Sequence, residues 1–286
     1  MKEKFLNLMR QIVQEGGEIA LDLLNDNKPT LKPDQSVLTE TDTAISALTR
    51  RVLGDLLETK EHILIDEEDP RSVQHFDSHV LESTPYIWAV DPIDGTRNYA
   101  NHFPVYGVSI GLIKDCKPWL GCVCFPALNE LFYTDGNKAY FVKRPFCGDT
   151  ETTEIFFIDQ EITQQSEFYL IEKFFKNFNW DYNLCHILIP ACAVSDLCWP
   201  AIGRGCGCMF KAHLWDFAGS WPIFQKAGLE LRSIETGTVL DTLNVFHYMG
   251  VEGNVWRLKD HYILSSERNF GILRQSITKK KVLPQI

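Results

Sequence analysis

Asp91, Asp94 and Thr96 stand close together where an apolar run ends, in the stretch Tyr86-Ile-Trp-Ala-Val-Asp-Pro-Ile-Asp-Gly-Thr-Arg-Asn-Tyr99. Pro92 fixes its own φ and Gly95 frees the backbone to bend. The spacing therefore predicts a strand that gives way to a tight turn, projecting two carboxylates and one hydroxyl into a small volume. Oxygen ligands so placed suit a hard divalent cation, and Mg²⁺ in particular demands a near-octahedral shell of them. The alternative is a polar surface turn, since Asp, Pro and Gly are ordinary turn residues.

Three other acidic sites along the chain invite the same question. His62-Ile-Leu-Ile-Asp66 reads as a short strand running into Glu67-Glu68-Asp69-Pro70, a second strand that ends in acids or else a solvated turn. Asp42 follows Thr39 at capping-box spacing, which would give it a purely structural role. Asp216 falls at the start of a predicted helix, where Asp is a favoured N-cap. If Glu67, Asp91, Asp94 and Asp216 converge, each pair at ~4 Å repels by about 4 kcal/mol at an effective dielectric near 20. Several such pairs exceed a typical folding stability of roughly 5–15 kcal/mol, so the cluster must protonate or bind cations.

The elements that must position these groups can be read in order. Phe5, Leu6, Met9, Ile12 and Val13 predict an amphipathic helix over 2–25, bent at Gly16-Gly17, followed by a polar loop from Asn25 to Pro33. Ile45, Leu48, Val52, Leu53 and Leu56 predict a second helix over 41–58. From Val105 to Val142 alternating apolar runs between turn residues predict a β-meander. The polar stretch from Cys147 to Glu154 is the expected boundary between an N-terminal α+β domain, 1–150, and a C-terminal α/β domain, 151–286. The second domain is expected to hold strands at 155–158, 186–189, 205–210, 229–233 and 262–265. Helices are expected over 165–178, 191–202, 215–226 (with a kink or a shorter first turn at Pro222) and 268–277.

The chain has 286 residues, 45 % of them hydrophobic, ample for a large core. Its net charge of −10 makes it a poor binder of nucleic-acid polymers or anionic membranes. No apolar run approaches the ~18 residues that span a bilayer, and the N-terminal residues lack a signal-peptide pattern. Nine cysteines, an odd number mostly within apolar runs, fit a reduced cytoplasmic protein. The Cys122-Val-Cys124 and Cys206-Gly-Cys208 pairs lack the usual C-x₂₋₄-C zinc spacing and are expected to be buried thiols.

Trp88-Ala-Val-Asp-Pro-Ile-Asp-Gly-Thr-Arg-Asn-Tyr resembles the first signature of the inositol monophosphatase family, and Leu214-Trp-Asp-Phe-Ala-Gly…Lys226-Ala-Gly-Leu resembles the second. Ser36-Val-Leu-Thr-Glu-Thr-Asp42 and Ile65-Asp-Glu-Glu68 resemble two further blocks of that family, in the right order, so that the likeness spans about residues 30 to 270. The resemblance implies a layered αβαβα sandwich of the inositol monophosphatase and fructose-1,6-bisphosphatase type. It also implies a Mg²⁺-dependent, lithium-sensitive phosphomonoesterase, usually a homodimer. Matched position by position, Glu67, Asp91, the carbonyl of Ile93, Asp94 and Asp216 would hold two or three Mg²⁺ ions. Thr96 would hold the attacking water, paired with Asp42, and Glu67 would assist as base. The Gly95 and Thr96 amides would cradle the phosphate, with Ile93, Asp94 and Asp216 completing the substrate site.

The likeness departs from the family pattern at the substrate end. The block usually read as Gly-Ser/Thr-Ala-Ala is Pro190-Ala191-Cys192-Ala193, and Met209 stands where inositol phosphatases carry a hydroxyl-binding Glu. Lys32 and Lys211 would then touch a second anionic group or lie solvated, and Arg97 would face solvent. The implied substrate is a small phosphorylated metabolite, poorer as inositol 1-phosphate than as some other ester. Alternatives are 3′-phosphoadenosine 5′-phosphate, histidinol phosphate, or a relative that binds phosphorylated ligands without turnover.

Overall fold

Lys2–Asp22 and Glu40–Leu57 are α-helices, in agreement with the apolar spacing, and the first runs on through Gly16 and Gly17 without a break. The structure is a computed structural model and describes residues 1–26, 29–32, 37–147, 149–156, 159, 161–251 and 254–280. Pro33 of the expected loop and Ser36 of the fourth motif lie outside the described residues. Phe5, Met9, Ile12, Val13, Ile45 and Leu53 pack both helices onto one face of a seven-stranded sheet, against Leu64, Trp88, Val90, Val108 and Ile110.

That sheet runs in chain order. His62–Asp66 pairs in parallel with Tyr86–Asp94, and every later neighbour is antiparallel: Gly107–Lys114, Lys117–Phe125, Glu130–Thr134, Ala139–Lys143 and Glu151–Glu154. The last strand falls in the polar stretch expected to be a boundary. It is an edge strand, so its outward residues meet water and carry no apolar signal. The opposite face of the sheet is covered by Ala193–Cys198, Leu214–Ala218 and Trp221–Lys226, which are covered in turn by a five-stranded sheet. Glu267–Gln275 closes the far side, with Leu273 against Phe168, Met209 and Ile263. The result is the five-layer αβαβα arrangement, and no helix among the described residues is long and apolar enough to cross a membrane.

The expected helix over 165–178 is a correction. Glu167–Tyr169 is instead an inner strand between His186–Leu188 and Gly207–Phe210, and only Phe174–Asn177 is helical. Phe168 faces the outer layer and Tyr169 the inner one, so each aromatic packs on a different core. Aromatic residues suit either period, and here pairing with neighbours on both sides decides. The strand expected at 155–158 lies partly outside the described residues, and Ile155 and Phe156 are not in a strand. The expected 215–226 helix is two helices, separated at Gly219-Ser220, with Pro222 in the first turn of the second, where its missing N–H costs nothing.

Candidate metal centre

Parallel pairing of His62–Asp66 with Tyr86–Asp94 sets Asp66 beside Val90, so the next residues, Glu67 and Asp91, leave the sheet side by side. The Glu67 N–H donates to the Val90 carbonyl at 3.2 Å, continuing the ladder one step past the strand. Asp216 comes from the third turn position of Leu214–Ala218, and its carboxylate accepts from the His213 N–H at 2.7 Å. It therefore braces the helix start without being the N-cap, which is His213. Oxygens of Glu67, Asp91 and Asp216 lie within 4.8 Å of one another.

Asp94 lines the same cleft but is held differently. The register slips between Asp91 and Asp94, a bulge that re-aims the backbone where Pro92 sits. Its Oδ2 accepts from the Cys192 thiol and the Val194 N–H, both at 2.8 Å. Gly95, at φ +81°, then starts the short helix Thr96–Ala100, and a Cβ there would press on the Val105 carbonyl at 3.0 Å. The Thr96 hydroxyl donates to the Ile93 carbonyl at 2.8 Å.

The expected Asp42–Thr96 pair is not formed. Asp42 Oδ2 instead accepts from the Thr39 backbone N–H at 2.8 Å and the Thr39 hydroxyl at 2.5 Å, closing the capping box of Glu40–Leu57. Its other oxygen, Oδ1, is buried with no hydrogen-bond partner among the described residues, as is Asp91 Oδ1.

Burial and mutual repulsion leave these acids reluctant to ionise. Burial, then Glu67, Asp94 and Asp216, push the Asp91 carboxyl well above its ordinary range. Burial and the Asp216 charge push Asp94 up to about 7. Burial is the chief cause for Asp42 as well, also pushed up to about 7, with Glu67 adding to it. For Glu67, burial and Asp216 outweigh the opposing Lys32. Three convergent carboxylates, an orphaned Asp91 oxygen and the upward shifts of Glu67, Asp91 and Asp94 fit a cation-binding donor set of hard oxygens.

The run Glu67-Glu68-Asp69 is resolved into separate tasks. Asp69 caps Pro70–His75 and pairs with Arg50 and Arg71, whereas Glu67 alone of the run joins the cluster. Lys32 lies 2.9 Å from Glu67 and 2.6 Å from Glu68, so it balances this acid pair. Burial pulls its ammonium down, but Glu67 and Glu68 together raise it above the ordinary lysine value. Nothing in the spacing of Lys32 pointed to this pair. Arg97, expected in solvent, is mostly exposed and pairs with Glu172 at 2.7 Å. Met209 is fully buried in the outer core and does not line the cleft, whereas Phe210 and Lys211 do. Ala191, the second residue of the block that departs from the family pattern, adopts φ +56°, the left-handed region that favours glycine.

The raised carboxyls have a consequence without metal. A group harder to ionise when folded than unfolded holds extra protons in the folded state, so its stabilising share is present below about pH 4 and lost as pH climbs to its folded value. With Asp94 and Asp42 both near 7, the metal-free protein should lose stability from pH 5 to pH 8. A Tm fall of about 5–10 °C in chelator is the expected size, at roughly 2–4 °C per kcal/mol. A divalent cation that fills the cluster should abolish most of it. A flat Tm across that interval would contradict the cluster.

The inositol monophosphatase family profile matches residues 1–269. The chain is 31 % identical over 150 residues to "Fructose-1,6-bisphosphatase/inositol-1-monophosphatase" of Aquifex aeolicus, covering 50 % of this chain and 55 % of that protein. It is 30 % identical over 240 residues to "Inositol monophosphatase 1" of Solanum lycopersicum, covering 79 % and 83 %. The fold matches extragenic suppressor protein suhB from Bartonella henselae with a TM-score of 0.71 at 18 % identity, over 95 % of this chain and 97 % of that one. With the profile covering nearly its whole length, and with relatives named as phosphatases of small phosphorylated metabolites, the chain belongs to the inositol monophosphatase family.

Proposed function

We propose that the chain hydrolyses a small phosphorylated metabolite in the cleft that holds Glu67, Asp91 and Asp216, with two or three Mg²⁺ ions as cofactor. The observation that carries the reading is the convergence of those three carboxylates from distant parts of the chain within 4.8 Å. Membership of a metal-dependent phosphatase family gives the hydrolase class. Glu67, Asp91, Asp94, Asp216 and the Ile93 carbonyl are the proposed metal ligands. Bound there, divalent cations neutralise the acids, attract a phosphate dianion and lower the pKa of water.

The remaining roles belong to the protein's own groups. Thr96 is proposed to orient the attacking water once its hydroxyl leaves the Ile93 carbonyl, and the Gly95 and Thr96 amides to hold phosphate oxygens. Those amides open a helix, so they have no acceptor in the preceding turn. Glu67 is the proposed base. Asp42, engaged with Thr39 and raised to about 7, acts on Thr96 only if that engagement loosens. The lobes 1–150 and 151–286 are proposed to share the site, the first supplying Glu67, Asp91 and Asp94 and the second Asp216. Lithium sensitivity and a homodimer follow from the family resemblance, and nine free thiols support a reducing, cytoplasmic setting.

The test is phosphate release from p-nitrophenyl phosphate and a panel of phosphomonoesters, with and without Mg²⁺. Mg²⁺-dependent turnover on at least one ester is expected, with inositol 1-phosphate below the best substrate. No turnover on any, with or without metal, would favour a ligand-binding relative instead. The same panel, with histidinol phosphate and 3′-phosphoadenosine 5′-phosphate included, settles the substrate.

A further inference from the structure

The cleft that holds the carboxylates is also lined by two basic residues, Lys211 and Arg257. Their backbones are pinned together. His213 and Arg257 face each other in an antiparallel bridge, the Leu258 N–H donates to the Ala212 carbonyl at 2.9 Å, and the Leu214 N–H donates to the Trp256 carbonyl at 2.9 Å. The Met249 N–H holds the Arg257 carbonyl at 2.7 Å. Both side chains are half-buried.

Among the described residues neither cation has a carboxylate within ion-pair distance. Lys211 Nζ donates to the Lys259 carbonyl, and one Arg257 nitrogen reaches Asn254 Oδ1 at 3.4 Å. Arg257 Nε is buried with no acceptor. Burial first, and then the Arg257 charge, pull Lys211 below its ordinary value, against weaker opposition from Asp260 and Glu235. The contrast with Lys32, balanced by Glu67 and Glu68, and with Arg97, balanced by Glu172, is direct. Two cations that repel each other, partly out of water and facing a cleft, are costly unless an anion joins them.

We propose that Lys211 and Arg257 form a second oxyanion subsite in this cleft, so that the substrate carries another phosphate or a carboxylate on its leaving group. The inference rests on the phosphatase reading above and narrows it, since a neutral polyol would leave both cations unmatched. An Arg fork and a Lys point charge together suit the planar or tetrahedral oxygens of such a group.

The experiment compares propane-1,3-diol monophosphate with the corresponding bisphosphate and with 3-hydroxypropanoate phosphate. The wild-type kcat/KM ratio of doubly to singly anionic ester is expected to be at least ~10, a tenfold preference being about 1.4 kcal/mol. The better of the two second anions identifies whether phosphate or carboxylate is read. Lys211→Gln and Arg257→Gln should each lower that ratio several-fold, and Lys211→Arg should restore most of it. The ratio is internal to each preparation, so a partly misfolded variant does not mimic the effect. A wild-type ratio near one, or a ratio unmoved by both Gln variants, would overturn the subsite. If no ester is hydrolysed, the phosphatase reading falls. Calorimetry with propane-1,3-bisphosphonate against propylphosphonate then decides the subsite separately, equal affinities overturning it.

Discussion

Asp94→Asn is expected to cut kcat by about 10³ or more, while leaving the metal-free protein at pH 7.5 no less stable than before. The two halves have one cause. Asp94 faces the Asp216 charge in a buried site, and its ionisation is resisted, so removing its charge relieves repulsion in the absence of cations. An Asn carbonyl still accepts from the Val194 N–H, now at 2.8 Å from Asp94 Oδ2, which keeps the loop in place. What is lost is an anionic oxygen for the proposed cations, and with it charge stabilisation aimed at the reacting phosphate. Rate measurement at saturating Mg²⁺ and melting in chelator check the two halves. Turnover within ~10-fold of wild type, or a lower metal-free Tm, would sink the assignment.

Gly111→Ala should destabilise by about 3 kcal/mol or more, lowering Tm by roughly 10 °C, because a Cβ there has nowhere to go. It would sit 2.2 Å from the Ala218 carbonyl oxygen and 2.8 Å from the Ala218 Cβ. The helix Leu214–Ala218 lies flush on Gly107–Lys114 at this point, and relief requires the whole helix to move. Asp216 rides on that helix, so activity should fall by ~10² beyond any loss of folded protein, the cost of a displacement near 1 Å. Gly54→Ala is the control. Beyond the adjacent backbone of its own helix nothing lies within 4 Å of a Cβ there, and it sits inside Glu40–Leu57, so the change should stabilise by up to ~1 kcal/mol. Comparable melting and activity for the two variants would refute this view of the contact.

Most of the scaffold was legible because periodicity and turn chemistry agree with the packing. The two long helices, the meander and the strands at 62–66 and 86–94 each bury a face that the apolar spacing marks. Glu167–Tyr169 was not legible, since three residues flanked by strands in space but not in sequence leave no periodic trace. At the site, local spacing cannot say that Glu67 joins Asp91 and Asp216 while Asp69 caps a turn. That choice is made by the parallel pairing of two strands and by a helix docked from far along the chain. The cap at Asp42 was read correctly from spacing, yet its partner in the cleft was expected from resemblance and is absent in the structure. Lys32 was named without its acidic partners and Arg257 not at all, because a lone basic residue looks the same in sequence whether it is solvated or enclosed.

Glu151–Glu154, exposed along the open margin of the larger sheet, places an acidic residue at each end of the strand. Any second molecule adding there in β-pairing would have to bring its own backbone alongside the exposed Glu151 carboxylate and the Glu154–Lys138 ion pair. A free margin of unpaired amides is otherwise a template for fibril growth. The polar run that leaves no imprint on the core thereby keeps a large sheet from extending into its neighbours at high concentration.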